Sequence, residues 1–346
     1  MQILLILKSV NNKPIQVVNP TFCNFIDMKF TCPKLWICSI LYFQSLLIFS
    51  QENTTYPPYT IATTYQKLKK KYPFITPIVP LKSKEIRRRE NVIYKKINGK
   101  SLKLDVYFPK GNIKKTYPGV LLIHGGGWLT GSKENERVLA QHLALNGYVG
   151  ISVGYRLGFD AKYPAGIIDL KDAIVWMRKH AKKYHIDPDK IAVLGASSGA
   201  QMATLIGVTP DFSRYKSNTT ISNKVQAIIN IDGIVSFIHP EAAAEGTMAS
   251  IWLDGSRTDN AKNWKEASPL EYVNENTPPI LFMNSAVPRF HAGRDDMLAI
   301  LNHYKIYNET HTIPNSPHSF WLMHPWFDTT LTHTVAFLNK VFKVEN

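Results

Sequence analysis

Beyond residue 90 the chain alternates between two hydrophobic periods. In Ser101–Phe108 the apolar residues Leu102, Leu104, Val106 and Phe108 occupy every second position, the pattern of a strand with one buried face. This run follows Asn91–Ile97 across Asn98-Gly99, a dipeptide suited to the positive φ angles of a two-residue hairpin. Tyr117–Ile123 is a continuous apolar run, as a strand covered on both faces requires; Tyr148–Tyr155 reads as another buried strand, Val225–Ile231 and Pro279–Asn284 as further strands, and the turn Asp187-Pro188-Asp189 feeds the apolar run Lys190–Leu194. Between them Ser132–Asn146, Asp169–Tyr184, Ser198–Gly207, Asp296–Tyr304 and Leu331–Val344 read as helices, and Thr310–Ile313 as a short strand. The apolar stripe Leu170, Ile174 and Met177 begins one turn earlier, at Ile167. Strands alternating with helices predict an α/β fold: a mostly parallel sheet with helices on both faces and the leading hairpin as its antiparallel edge. Val235–Val273 breaks the alternation and is expected to form a short cap insertion.

The first 90 residues follow neither pattern. Leu35–Phe49 is almost entirely apolar, yet shorter than the roughly 20 residues of a membrane span. With Lys29 and Lys34 ahead of it and Ser50 behind, it fits a secretory signal peptide over residues 28–50, starting at Met28 and cleaved before Gln51. Residues 1–27 would then be an upstream extension, and the exported chain, periplasmic or extracellular, would retain no membrane segment. Cys23, Cys32 and Cys38 all precede Gln51, so the exported chain would contain neither disulfides nor thiolate metal sites. Residues 51–90 read as a basic N-terminal arm, and 91–346 as the folded domain.

The net charge of +15 is concentrated partly in Lys67–Lys71 and Arg87–Arg89. A solvated basic surface explains both runs; attraction to an acidic polymer, such as a uronic-acid polysaccharide, is the sharper alternative. No nucleic-acid-binding motif is present. Neither HExxH, a Cys/His cluster nor a GxGxxG strand–helix turn occurs, so no metal and no cofactor are expected.

Two motifs carry chemistry. Gly195-Ala196-Ser197-Ser198-Gly199 follows an apolar run and precedes a helix, the context in which G-x-S-x-G holds a serine on a sharp turn with its hydroxyl exposed. His124-Gly125-Gly126-Gly127-Trp128 also ends an apolar run, and its glycines let a substrate approach the backbone amides. Together they specify a nucleophile and the donors for its oxyanion.

These motifs, with Gly154–Leu157 (GYRL), Ile168–Arg178, Ile186–Gly199 and Ser316–Trp321 (SPHSFW), resemble the α/β-hydrolase fold over about residues 90–343. More narrowly, the chain is similar to secreted bacterial carbohydrate esterases of the feruloyl- and acetyl-esterase type, related to hormone-sensitive-lipase-like enzymes. The resemblance implies Ser197 as nucleophile and the amides of Ser198, Gly126 and Gly127 as oxyanion hole. It implies His318 as general base; His324 is the competitor, while His311 and His180 read as structural. An acid is expected a few residues after Pro279–Asn284, but Ser285–Phe290 holds no carboxylate. Asp295 and Asp296 are the favoured acids, with Asp232 at the end of the preceding strand as the alternative; Asp295 and Asp296 also suit a helix N-cap or a pairing with Arg294. Arg289, His291 and Arg294 are candidates to grip a substrate carboxylate or hydroxyls, or to hold their loop by ion pairs. Trp128, Trp252, Trp321 and Trp326 offer either stacking faces for a sugar or core packing. The expected activity is a serine esterase removing acetyl, feruloyl or methyl groups from a carbohydrate such as xylan or pectin. The alternatives are a lipase, peptidase or formamidase on the same scaffold, or a non-catalytic carbohydrate-binding module.

Overall fold

The computed structural model describes residues 56–111, 115–210, 212–215 and 219–344. The apolar stretch Leu35–Phe49, the expected cleavage point and the three cysteines lie outside these residues. Among the described residues no helix is long and apolar enough to cross a membrane.

Eight strands form the main sheet: β2 (Ile86–Ile97), β3 (Lys100–Pro109), β4 (Tyr117–Ile123), β5 (Val149–Val153), β6 (Ile186–Ala196), β7 (Ala227–Ile231), β8 (Ile280–Asn284) and β9 (Asn308–Thr312). Their order is β2-β3-β5-β4-β6-β7-β8-β9. The hairpin β2–β3 and the pair β3–β5 are antiparallel, and every other pairing is parallel. A second, two-stranded sheet pairs β1 (Thr76–Pro77) with β10 (Met323–His324).

The continuous apolar runs are explained by two cores, one on each face. Along β4, Leu121 and Ile123 point into one core, and Val120 and Leu122 into the other. The first core is closed by α3 (Ala165–Lys179), α4 (Ser198–Val208), α7 (Arg294–His303) and the cap; the second by α2 (Arg137–Leu145) and α8 (Trp326–Phe342). Strand β3 alternates only as far as Leu104. Beyond it Asp105 and Tyr107 are buried too, because Lys133 and Arg137 at the start of α2 cover that face and bind the Asp105 carboxylate at 2.9 and 3.1 Å.

Several boundaries differ from expectation for local reasons. Helix α8 begins at Trp326 rather than Leu331: its first turns are rich in threonine, a weak helix former, but Thr330 and Thr334 bond their hydroxyls to the carbonyls of Trp326 and Thr330. Strand β2 begins at Ile86, so Arg87–Arg89 belong to an edge strand with charged side chains outward. The residues expected to form a solvated arm are described from Tyr56 on, and they pack against the domain. Helix α1 (Ile61–Leu68) is closed at its start by reciprocal bonds between Thr60 and Thr63, and Tyr59, Ile61, Tyr65 and Leu68 rest on the second core. Lys67 and Lys69–Lys71 stay exposed. The cap spans two short helices, α5 (Thr247–Trp252) and α6 (Ala261–Glu266), joined by turns.

One buried carboxyl stands apart. Glu136 precedes α2, is 1% exposed, and neither carboxylate oxygen has a hydrogen-bond partner among the described residues. Burial pushes its pKa up to about 8. The native chain therefore holds a proton that the unfolded chain has released, so this group's contribution is fully present below about pH 4.5 and is lost as pH rises through about 8. Thermal melts at pH 6 and pH 9 should show a larger loss in the wild type than in Glu136→Gln, which keeps the shape without the charge. Equal losses would mean that Glu136 finds a partner in solution.

Candidate active site

In a parallel sheet every strand ends on the same edge, so residues far apart in sequence meet there. Strand β4 delivers His124–Trp128, β6 delivers Ser197, β7 delivers Asp232, β8 delivers Ser285, and the loop after β9 delivers His318. Ser197 lies at φ 55° and ψ −124°, a conformation that costs a non-glycine residue about 1–3 kcal/mol and that persists because its surroundings enforce it. Its N–H donates to Ile231 O at 2.8 Å, and Gly195 and Gly199 pack so closely that a Cβ on either would meet backbone at 2.0–2.2 Å. The hydroxyl therefore projects from a fixed point.

Ser197 Oγ lies 2.8 Å from His318 Nε2, and His318 Nδ1 lies 2.6 Å from Asp232 Oδ2. With Nδ1 facing a carboxylate, the ring proton sits on Nδ1, leaving Nε2 to accept from the serine hydroxyl. The other carboxylate oxygen of Asp232 accepts the Ser285 N–H at 2.8 Å. Burial by itself would raise the pKa of this fully enclosed carboxyl. The His291 and His318 rings and the Ser285 side chain outweigh that and hold it at about 2. His291 Nε2, at 3.7 Å, is beyond a direct hydrogen bond, so His318 and Ser285 are the groups that bind the carboxylate directly.

Asp295 and Asp296, the favoured acids at the sequence level, are thereby displaced by Asp232. Both lie in the first turn of α7 with side chains 75% and 65% exposed; Asp295 pairs with Arg294 at 2.8 Å, and Asp296 lies 3.4 Å from His239. An exposed carboxylate in solvent cannot lock an imidazole. The position after β8 that lacks an acid supplies a donor instead, the amide of Ser285, to the acid on the neighbouring strand. His324 pairs with Asp328 at 3.0 Å, away from Ser197.

Gly126 and Gly127, both at positive φ, and the first residue of α4, Ser198, line the same cleft as Ser197. The N–H groups of all three are without a hydrogen-bond partner among the described residues. His124 fixes this loop from beneath. It is 1% exposed, stacks on Tyr155 with ring centroids 4.5 Å apart, and makes a 2.8 Å contact from Nδ1 to Gly125 O. Burial lowers its pKa to about 4, so it is neutral at pH 7 and can donate this bond without a charge in the core.

A cleft of about 910 Å³ opens over Ser197. One wall is the segment Tyr56–Tyr59 with Thr63 and Lys67 of α1; others are Met248 of the cap and Arg289 and Phe290. Tyr59 OH donates to Ser319 Oγ at 3.1 Å, tying this N-terminal wall to the residue after His318. Phe290 stacks face to face on His318, with centroids 3.6 Å apart. Arg289 reaches the cleft but pairs with Glu245 at 2.9 Å; Arg294 bonds Asn284 and Asp295 and does not line the cleft. Trp321 is buried with its ring edge-on to His318, and Trp252 and Trp326 are buried as well. Trp128 touches the cleft yet is only 4% exposed, stacked on Trp252 with its indole N–H on Gln201 Oε1 at 2.9 Å. The four tryptophans therefore belong to the packed interior and present no open stacking face. Tyr59 and Phe290 were not among the expected site residues. Nothing in their local pattern separates them from core aromatics; only the fold brings them to the serine. Among the described residues no group of three or more His, Cys, Asp or Glu could hold a metal.

Residues 104–289 match the BD-FAE family. The Mycobacterium tuberculosis protein "Probable carboxylic ester hydrolase LipM" is 29% identical over 207 residues, which is 58% of this chain and 46% of LipM. "Esterase LipC" of the same bacterium is 27% identical over 255 residues, 69% of this chain and 62% of LipC. The chain thus spans less than two thirds of either relative. A solved structure described as "Truncated form of carbohydrate esterase from gut microbiota" superposes with a TM-score of 0.65 at 23% identity, covering 77% of this chain and 99% of that one. The fold is that of an α/β-hydrolase, and since the match takes in more than half of the chain, with the glycine loop, the serine elbow and Asp232, the chain belongs to the BD-FAE family.

Proposed function

We propose that the protein is an exported serine esterase that hydrolyses acyl or methyl esters on a carbohydrate. The observation that carries hydrolysis is the continuous relay from Ser197 Oγ through His318 to the buried Asp232, facing unpartnered amides of the glycine loop. Ser197 attacks the ester carbonyl while His318 Nε2 takes its proton. The oxyanion is held by the amides of Gly126, Gly127 and Ser198, each donor worth on the order of 3 kcal/mol in the transition state. The imidazolium, stabilised by Asp232, then protonates the leaving alcohol, and an acyl-serine remains. Water attacks the acyl carbon as His318 takes its proton, the bond to Ser197 Oγ breaks as His318 returns that proton to Oγ, and the acid is released.

A carbohydrate leaving group is supported by the size of the cleft and by its mix of aromatic, hydroxyl and basic residues: Tyr56, Tyr59, Thr63, Lys67 and Arg289. Lys67, with the exposed Lys69–Lys71 nearby in sequence, favours an acidic polysaccharide such as pectin over a neutral one. Export is supported by the apolar stretch Leu35–Phe49. The non-catalytic alternative drew only on the lack of an acid after β8, and Asp232 removes that ground.

Ser197→Ala should lower kcat on p-nitrophenyl acetate by about 10,000-fold or more with an unchanged circular dichroism spectrum. Retained activity would overturn the esterase reading. Assayed on acetylated pectin, acetylated xylan and a feruloylated arabinoside, the wild type should favour the pectin at low salt, and that preference should shrink in high salt. Asp232→Asn should cost kcat on the order of 10,000-fold, because the imidazole loses its tautomer lock. Asp295→Asn and Asp296→Asn should stay within about twofold of wild type, as expected for exposed pairs. A large loss in either of the last two with a mild one in Asp232→Asn would reverse the assignment.

A further inference from the structure

The cap residue Met248 lies directly against the oxyanion loop. A Cβ placed on Gly127 would meet Met248 Cε at 2.4 Å and Sδ at 2.7 Å, so the thioether rests on the glycine backbone itself. Met248 also lines the cleft with Ser197, Trp128 and Ile234. Its base is held firmly. Met248 and Trp252 lie four residues apart on α5 and so share a face of that helix. Trp252 is fully buried, stacks on Trp128 with centroids 5.4 Å apart, and its carbonyl accepts the Tyr163 N–H at 2.8 Å. Trp128 is in turn held by Gln201, whose amide nitrogen donates to Ala267 O at 2.7 Å.

Stereochemistry decides which part of a substrate meets this side chain. The tetrahedral carbon formed on Ser197 carries three further substituents. The oxyanion faces the amides of Gly126, Gly127 and Ser198. The leaving oxygen must face His318 Nε2, because that nitrogen protonates it. The acyl carbon takes the direction that remains, away from His318 and alongside the glycine loop. Of the neighbours of His318, Phe290 and, through Ser319, Tyr59 line the cleft and border the leaving group. Met248 borders the acyl group.

We propose that Met248 sets the limit on acyl length, confining the enzyme to acetyl and similarly short acyl groups while the larger leaving-group side takes the sugar. This rests on the esterase reading and narrows it: a short acyl limit excludes feruloyl esters, and methyl esters in which the sugar itself is the acyl part. A side chain that closes an apolar pocket discriminates by about 10- to 200-fold per methylene.

The test compares kcat/KM for p-nitrophenyl acetate, butyrate and hexanoate, and for methyl ferulate, in the wild type, Met248→Ala, Met248→Leu and Met248→Phe. The wild type should lose about 10-fold or more from acetate to butyrate. Met248→Ala should close most of that gap and raise hexanoate and methyl ferulate turnover, Met248→Leu should reopen it, and Met248→Phe should widen it. The Leu and Phe variants keep the test decisive if the Ala variant does not fold. Hexanoate turned over as fast as acetate by the wild type, or one chain-length profile shared by all folded variants, would overturn the role of Met248 and leave the esterase reading intact. No hydrolysis of any ester by the wild type would overturn both.

Discussion

A carboxylate removed from water stays charged only if its partners replace the water, and the site depends on how Asp232 meets that condition. Its side chain is fully buried, one oxygen takes the His318 ring proton at 2.6 Å and the other takes the Ser285 amide at 2.8 Å. Both partners are set by the sheet: Ser285 follows the strand beside that of Asp232, and His318 follows the next. Because the carboxyl is held at about 2, it is ionised wherever the enzyme is expected to work, and it can orient His318 toward Ser197 without taking the ring proton.

The same sheet edge concentrates backbone strain. Trp128, Ser197, Asp232 and Ser319 are all non-glycine residues at positive φ, with values between 55° and 72°, and each is part of the site or adjacent to it. Such conformations persist only where packing over-determines them. Here the two cores do so, together with the N-terminal segment that ties Tyr59 to Ser319 and the cap that ties Trp252 to Trp128. The segment before β2 and the cap are thus parts of the site wall as well as of the fold.

The parallel sheet, the hairpin edge, the serine elbow and the glycine loop were legible in the sequence, because each rests on a local pattern: periods of two, continuous apolar runs, and glycines at fixed offsets. The histidine was legible from its place after the last strand. The acid was not. A search near β8 looks in the right layer of the fold but on the wrong strand, and Asp295 and Asp296 invite it because acidic residues also favour the first turn of a helix. The available signal for Asp232 was its position immediately after a buried strand, as for Ser197. The cleft-facing roles of Tyr59, Phe290 and Met248 were not legible at all, since an aromatic or a methionine in an amphipathic stretch reads the same whether it faces a core or a cleft. The tryptophans failed in the opposite direction: sequence leaves open whether they stack on a sugar, and burial assigns them to packing.

The central claim is that His318, held by Asp232, makes Ser197 a nucleophile in the folded protein. The most direct measurement is to treat the folded full-length chain with a fluorophosphonate at neutral pH and locate the adduct by peptide mass spectrometry. A single adduct on Ser197, absent once the protein is unfolded beforehand, is the predicted result. No adduct on the folded chain, or an adduct on another residue with Ser197 unmodified, would contradict it.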